Sequence, residues 1–84
     1  MALKDDFDAA QSRVKTLSSR PSNADLLNLY ALFKQGSAGD VSGKKPGRLD
    51  LKGRAKYEAW ESKKGMSADA AMQAYVDLVN RLVG

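Results

Sequence analysis

The chain contains no cysteine and no histidine. The first absence excludes disulfide frameworks, thiolate zinc sites and cysteine nucleophiles. The second removes the commonest metal ligand and the commonest general base at neutral pH. A Ser-His-Asp arrangement cannot form, so neither a catalytic residue nor a metal site is expected. No apolar run approaches the roughly 18 residues of a membrane-spanning helix. The opening Met1-Ala2-Leu3-Lys4-Asp5-Asp6 lacks the long apolar centre of a signal peptide, and a soluble cytoplasmic protein is expected. Hydrophobic residues nonetheless make up 43% of the 84 positions, as in an ordinary folded domain. A chain of this length supports one small core.

Charge is unevenly placed. Fourteen Lys and Arg stand against ten Asp and Glu, for a net charge of +4. Residues 1–43 balance to zero. Residues 44–56 hold Lys44, Lys45, Arg48, Lys52, Arg54 and Lys56 against Asp50 alone. That stretch supplies the whole excess and predicts an anionic partner met at one place.

The hydrophobic periodicity is helical. Phe7, Ala10, Val14 and Leu17 recur at spacings of three and four, and the first helix is expected to end at Ser18-Ser19-Arg20-Pro21. Ser22 or Asn23 can cap a second helix, with Asp25 in its positive first turn. Leu26, Leu27, Leu29, Tyr30, Leu32 and Phe33 cover more than one stripe of it, so part of that surface has a use beyond the core. Residues 36–49, with Gly36, Gly39, Gly43, Pro46 and Gly47, read as a long loop. A third helix is expected from Asp50 to Gly65. Ser67 can cap a fourth, whose apolar face is Met72, Tyr75, Val76, Val79, Leu82 and Val83.

Helices of about 16 residues are about 24 Å long. A loop over 36–49 can reach back along that length at up to about 3.3 Å per residue. The second and third helices can then run parallel, in an all-α four-helix bundle with up-down-down-up topology and an overhand loop. Parallel neighbours leave a wider opening at one end, where a ligand can enter.

Two pairs of residues fit such a ligand. Tyr30 and Lys34 lie four apart on the second helix, so an aromatic face and an ammonium are neighbours. Lys52 and Lys56 lie four apart on the third, with Arg48 one turn earlier if the helix reaches it. Like charges at this spacing repel slightly, a cost that a bound polyanion offsets. The plainer alternatives are a core-edge tyrosine and a solvated basic face. Trp60 reads as a core anchor. Tyr75 reads as half core, with a hydroxyl in need of a partner. Asp5/Asp6 and Glu58/Glu61 read as solvated carboxylates. The glycines around Gly36-Ser37-Ala38-Gly39 follow a helix rather than a strand and match no phosphate-binding fingerprint.

Taken together, Tyr30-Ala31-Leu32-Phe33-Lys34-Gln35, Gly39-Asp40, Pro46-Gly47 and Asp50-Leu51-Lys52-Gly53-Arg54-Ala55-Lys56-Tyr57-Glu58-Ala59-Trp60 resemble the acyl-CoA-binding protein family. The resemblance runs without gaps from Phe7 to about Leu82, and Ala70-Met72 and Ala74-Tyr75 match the family's fourth helix. It implies a single acyl-CoA-binding domain over 1–84, with the up-down-down-up bundle. It also implies non-catalytic binding of medium- to long-chain fatty acyl-CoA, and a role as intracellular carrier and pool former. By position, Tyr30, Lys34 and Lys56 would hold the adenosine 3′-phosphate, and Tyr75 would line the adenine and phosphate site. Lys15 and Lys52 match positions near the nucleotide or acyl chain, and Leu27 matches an apolar wall. Some positions differ from the common pattern. Phe33 stands where Tyr is frequent, Leu51 replaces a usual Phe, Tyr57 replaces a usual Trp, and Lys45 stands where Arg is common. Gln11 occupies a place often held by Ala beside the adenine.

Physical chemistry agrees with this ligand. Coenzyme A carries about four negative charges, which converging lysines can meet with charge-assisted hydrogen bonds. At about 0.8 kcal/mol per buried methylene, a sixteen-carbon chain adds on the order of 10 kcal/mol gross, before ordering costs. The expectation is therefore a monomer with acyl-CoA as its ligand, no cofactor, no nucleic-acid partner and at most transient membrane contact. The alternative is a small helical nucleic-acid-binding module that uses residues 44–56, although +4 is modest for that role.

Overall fold

The structure, a computed structural model, describes residues 2–83. Four helices account for its regular structure: α1 (Leu3–Val14), α2 (Asn23–Ala38), α3 (Leu51–Glu61) and α4 (Ala68–Val83). No strand occurs among the described residues.

Each helix start has a local cause. Asp5 and Asp6 place negative charge at the positive end of α1. The Asp25 amide donates to Ser22 Oγ at 3.1 Å, which caps α2. Asp50 Oδ1 accepts from the Gly53 amide at 3.0 Å and caps α3. The Ala70 amide donates to Ser67 Oγ at 3.1 Å and caps α4.

Three boundaries differ from the sequence expectation. α1 stops at Val14, short of Pro21, because the following amides switch to tighter pairing: Lys15 N–H donates to Ser12 O and Thr16 N–H to Arg13 O. The Thr16 hydroxyl also donates to Arg13 O at 2.7 Å, which completes that turn. α2 continues through Gly36 to Ala38, so the loop covers 39–50. Gly36 is needed there because a Cβ would lie 3.1 Å from Met72 Cγ and 3.3 Å from Phe7 Cζ. α3 ends at Glu61, and the turns after it close at Gly65, whose φ of +91° suits glycine. Arg48 therefore lies ahead of α3 and not on it.

Side-chain pairs give the helix directions. Arg13 Nη1 donates to Asn80 Oδ1 at 2.6 Å, and Phe7 meets Tyr75 edge-on at 5.2 Å, so α1 and α4 run parallel. Arg81 pairs with Asp25 at 3.0 Å while Gln35 donates to Met66 O at 2.8 Å, so α2 and α4 are antiparallel. Lys56 lies over Tyr30 and Lys34 over Trp60, so α2 and α3 run parallel. The topology is up-down-down-up.

The core is Phe7, Ala10, Leu29, Leu32, Ala71, Tyr75 and Val79, contributed by α1, α2 and α4. α3 packs on α2 and supplies no member of this cluster. Its buried residue is Trp60, which therefore does not fill the centre as expected. Trp60 instead donates from Nε1 to Gly39 O at 2.8 Å and holds the start of the loop. The loop then returns along α3, where Tyr57 donates to Gly43 O at 3.2 Å and Lys45 pairs with Glu58 at 2.9 Å. Glu58 is thus a paired carboxylate and not merely solvated. The Lys45 hydrogen bond and charge hold it below its ordinary value. Val83, expected on the α4 core face, is 42% exposed at the helix end and joins no core cluster.

Candidate functional site

Because α3 packs on no helix other than α2 among the described residues, a cleft remains between the N-terminal halves of these two helices. It has a volume of about 460 Å³ and is lined by Arg20, Asn23, Leu26, Leu27, Tyr30, Leu51, Lys52, Ala55 and Lys56. Such a volume lies within the roughly 300–1,000 Å³ of small-molecule sites. The lining is divided by chemistry. Leu26, Leu27, Leu51 and Ala55 offer hydrocarbon, while Arg20, Lys52 and Lys56 offer positive charge. The doubled apolar surface of α2 is explained by this division: Leu29 and Leu32 enter the core, and Leu26 and Leu27 face the cleft.

Tyr30 lies between the two chemistries. Its ring is partly exposed, and the Lys56 ammonium sits 5.5 Å from the ring centre. One turn on, the Lys34 ammonium sits 4.8 Å from the centre of the Trp60 ring. The aromatic faces thus position both lysines along the α2–α3 seam. Tyr30 is matched with Lys56 across the helices, whereas the spacing on α2 alone had paired it with Lys34.

Of the residues singled out from the sequence, Leu27, Tyr30, Lys52 and Lys56 come together in the cleft, and Lys34 extends the same seam. Gln11, Phe33 and Tyr75 gather instead around Phe7. Phe33 stacks on Phe7 at 6.1 Å, Tyr75 meets it edge-on, and Gln11 Nε2 donates to Phe7 O at 3.3 Å. Burial pushes the Tyr75 hydroxyl above its ordinary value. Lys15 is exposed just past α1 and does not line the cleft. Arg20, Asn23, Leu26 and Ala55 line the cleft without having been singled out. The apolar excess on α2 was the signal for Leu26, while Arg20 and Asn23 carried none.

A second anchor lies at the far end of α2. Gln35 is fully buried, and its Nε2 donates to Asp40 Oδ1 and to Met66 O, both at 2.8 Å. Asp40 Oδ1 also accepts from the Gly65 amide at 2.8 Å. The Gly65 amide first, and Gln35 second, hold the Asp40 carboxyl below its ordinary value. This node ties both ends of α3's connections to α2 and keeps α3 alongside it. No group of three or more His, Cys, Asp or Glu among the described residues is placed to hold a metal ion.

Comparison with known proteins adds an independent line. The family described as Acyl CoA binding protein matches residues 4–79. Acyl-CoA-binding protein homolog 1 of Caenorhabditis elegans is 57% identical over 77 residues, covering 92% of this chain and 90% of that protein. The Acyl-CoA-binding protein homolog of Drosophila melanogaster is 53% identical over 81 residues, covering 96% and 94%. The crystal structure of Oryza sativa Acyl-CoA-Binding Protein 2 superposes with a TM-score of 0.93 at 38% identity, covering 96% of this chain and 88% of that one. The overhand four-helix arrangement, the cleft it leaves open and these matches agree, and this chain belongs to the acyl-CoA-binding protein family.

Proposed function

We infer that this protein binds medium- to long-chain fatty acyl-CoA thioesters and serves as an acyl-CoA carrier and pool former. The observation that carries this reading is the α2–α3 cleft, in which hydrocarbon and lysines share one cavity. Leu26, Leu27, Leu51 and Ala55 would cover acyl methylenes. Lys52 and Lys56 would meet phosphate oxygens, with the Tyr30 ring placing the Lys56 ammonium. Lys34 would join the same anion from its rest on Trp60. Tyr75, Gln11, Lys15 and Phe33 would contribute from the Phe7 side, where an adenine ring would lie.

The acyl chain supplies most of the affinity in this scheme, because its gross burial term exceeds that of a few partly solvated ion contacts. The lysines select the phosphorylated headgroup. Each residue in the scheme binds or orients and none performs a chemical step, which makes the protein a carrier rather than an enzyme; we propose that it acts as a cytoplasmic monomer without a cofactor. On this reading residues 1–84 form one acyl-CoA-binding domain, and the family match spans residues 4–79 of it.

The basic stretch does not form a continuous stripe for nucleic acid. Lys45 is paired with Glu58, and Lys52 and Lys56 face the cleft. Titration calorimetry with palmitoyl-CoA and with free coenzyme A tests the reading. Palmitoyl-CoA is expected to bind far more tightly, and equal weak binding of both would end it.

A further inference from the structure

The hydrocarbon of the cleft has a cation at each end. Lys56 stands over Tyr30 at one end, and Arg20 with Asn23 lines the other, where the chain enters α2. Between them lie Leu26 and Leu27 on α2, and Leu51 and Ala55 on the parallel α3. Lys52, one turn back from Lys56, borders this middle section. From Asn23 to Tyr30 is about 10 Å of helix, at about 1.5 Å per residue. An extended sixteen-carbon chain is roughly 20 Å long, from carbon–carbon bonds of about 1.5 Å. A chain whose headgroup is held at Lys56 and Tyr30 therefore passes the leucines before it ends, and its last carbons reach Arg20 and Asn23.

The fold makes no use of the Arg20 charge. Arg20 is exposed and forms no ion pair among the described residues. The carboxylates beside the lining in sequence are engaged elsewhere. Asp25 pairs with Arg81, and Asp50 accepts from the Gly53 amide. Arg20 also borders a second cavity of about 250 Å³, beside Ser18, Ser19 and Leu82. The guanidinium is thus free to turn towards a ligand in the cleft. A methyl terminus offers it no partner. A carboxylate terminus offers two acceptor oxygens, which a guanidinium fork meets in one plane. The Asn23 side-chain amide supplies a further donor.

We infer that the Arg20 end of the cleft is a subsite for the far end of the acyl chain, and that its ligands include acyl-CoA thioesters of dicarboxylic acids, whose terminal carboxylate meets Arg20 and Asn23. This rests on the acyl-CoA reading and adds a ligand class to it. Lys56 and Arg20 then hold the two charged ends of one ligand, while the leucines and Ala55 cover the methylenes between.

Hexadecanedioyl-CoA and palmitoyl-CoA differ only in the group at the far end of the chain, so the two are titrated in parallel by calorimetry. Arg20→Gln should weaken hexadecanedioyl-CoA about fivefold, equivalent to about 1 kcal/mol for a partly solvated ion pair. It should leave palmitoyl-CoA affinity unchanged. Arg20→Lys keeps the charge without the fork and should lose less than Arg20→Gln. Added salt should shrink the effect of Arg20→Gln. Both variants should keep the wild-type melting temperature, since Arg20 holds no ion pair in the fold. In nuclear magnetic resonance, the Arg20 Nε–H signal should shift with hexadecanedioyl-CoA and stay in place with palmitoyl-CoA. An equal loss for both ligands in Arg20→Gln would make Arg20 a headgroup cation and overturn the subsite. No loss for either would leave the terminal carboxylate in water and overturn it too. In both cases tight palmitoyl-CoA binding by the wild type keeps the carrier reading intact. Failure of the wild type to bind palmitoyl-CoA ends the carrier reading and the subsite with it.

Discussion

The Lys56 ammonium stands 5.5 Å from the centre of the Tyr30 ring, and this contact spans the two parallel helices α2 and α3. It places a cation at the cleft without burying it, since Lys56 remains exposed. Its loss should therefore affect the ligand more than the fold. Lys56→Ala is expected to weaken palmitoyl-CoA binding about tenfold to a hundredfold, the range for a hydrogen bond to a charged group. The melting temperature should barely move, because an exposed cation–π contact contributes about 0.5–1 kcal/mol. Tyr30→Leu should show the same split, smaller in binding. Calorimetry beside thermal unfolding checks it, and parallel losses in both would make the contact merely structural.

Gly36 marks where α2 comes closest to its neighbours, with Met72 Cγ and Phe7 Cζ near any added Cβ. Met72 is unbranched and can yield. Phe7 is buried and fixed between Phe33 and Tyr75, so it cannot. Alanine in a helix gains about 1 kcal/mol over glycine, and overpacking costs about 1–3 kcal/mol. Gly36→Ala is therefore expected to destabilise by about 1 kcal/mol in chemical denaturation. A more stable variant would show that Phe7 has room to move.

How far the sequence discloses this molecule depends on the kind of information each residue carries. Phe7, Ala10, Tyr75 and Val79 repeat at helical spacing and do enter the core, because burial imposes the period directly. Ser22, Asp50 and Ser67 mark helix starts because capping is local chemistry. The end of α1 was not legible in the same way. Leu17 continues the apolar rhythm, yet the Thr16 hydroxyl and two tightened amides end the helix before it. Trp60 misled for a related reason: composition reports that a large ring is buried, not which partner buries it. For the cleft, the excess leucines on α2 showed that a second surface existed. Only the placement of α3 revealed that Leu26, Leu51 and Ala55 share it with Lys52 and Lys56.

Acid should loosen the node at the end of α2. Asp40 accepts from the Gly65 amide and from Gln35, so its folded pKa lies below the ordinary value of 3.8. A depressed carboxylate contributes stability that is present above the unfolded pKa and is lost as pH falls through the folded one. Glu58, lowered by Lys45, adds in the same direction. The melting temperature is expected to fall as pH drops below about 4. Asp40→Asn should flatten part of that acid limb, and Asp40→Asn with Glu58→Gln should flatten more. Separately, Gln35→Met leaves Met66 O without its donor and should cost about 1–3 kcal/mol at neutral pH. If the single Asn variant keeps the full acid slope, the Asp40 node does not control it.

Tyr75 offers the opposite limb. Burial raises its folded pKa above the ordinary value of 10.0. Stability is then complete below pH 10 and is lost as pH rises from there towards the folded value, because the unfolded chain releases the proton more readily. Tyr75→Phe keeps the edge contact with Phe7 and removes the ionisable group. At pH 7 its unfolding free energy should match the wild type to within about 0.5 kcal/mol. Above pH 10 it should lose less stability than the wild type. The same variant tests the site, since the hydroxyl has no hydrogen-bond partner among the described residues, leaving it available to a ligand. If it meets the nucleotide, palmitoyl-CoA affinity should fall about threefold to tenfold while neutral-pH stability holds. Unchanged affinity would confine Tyr75 to the core and leave nucleotide recognition to the α2–α3 seam.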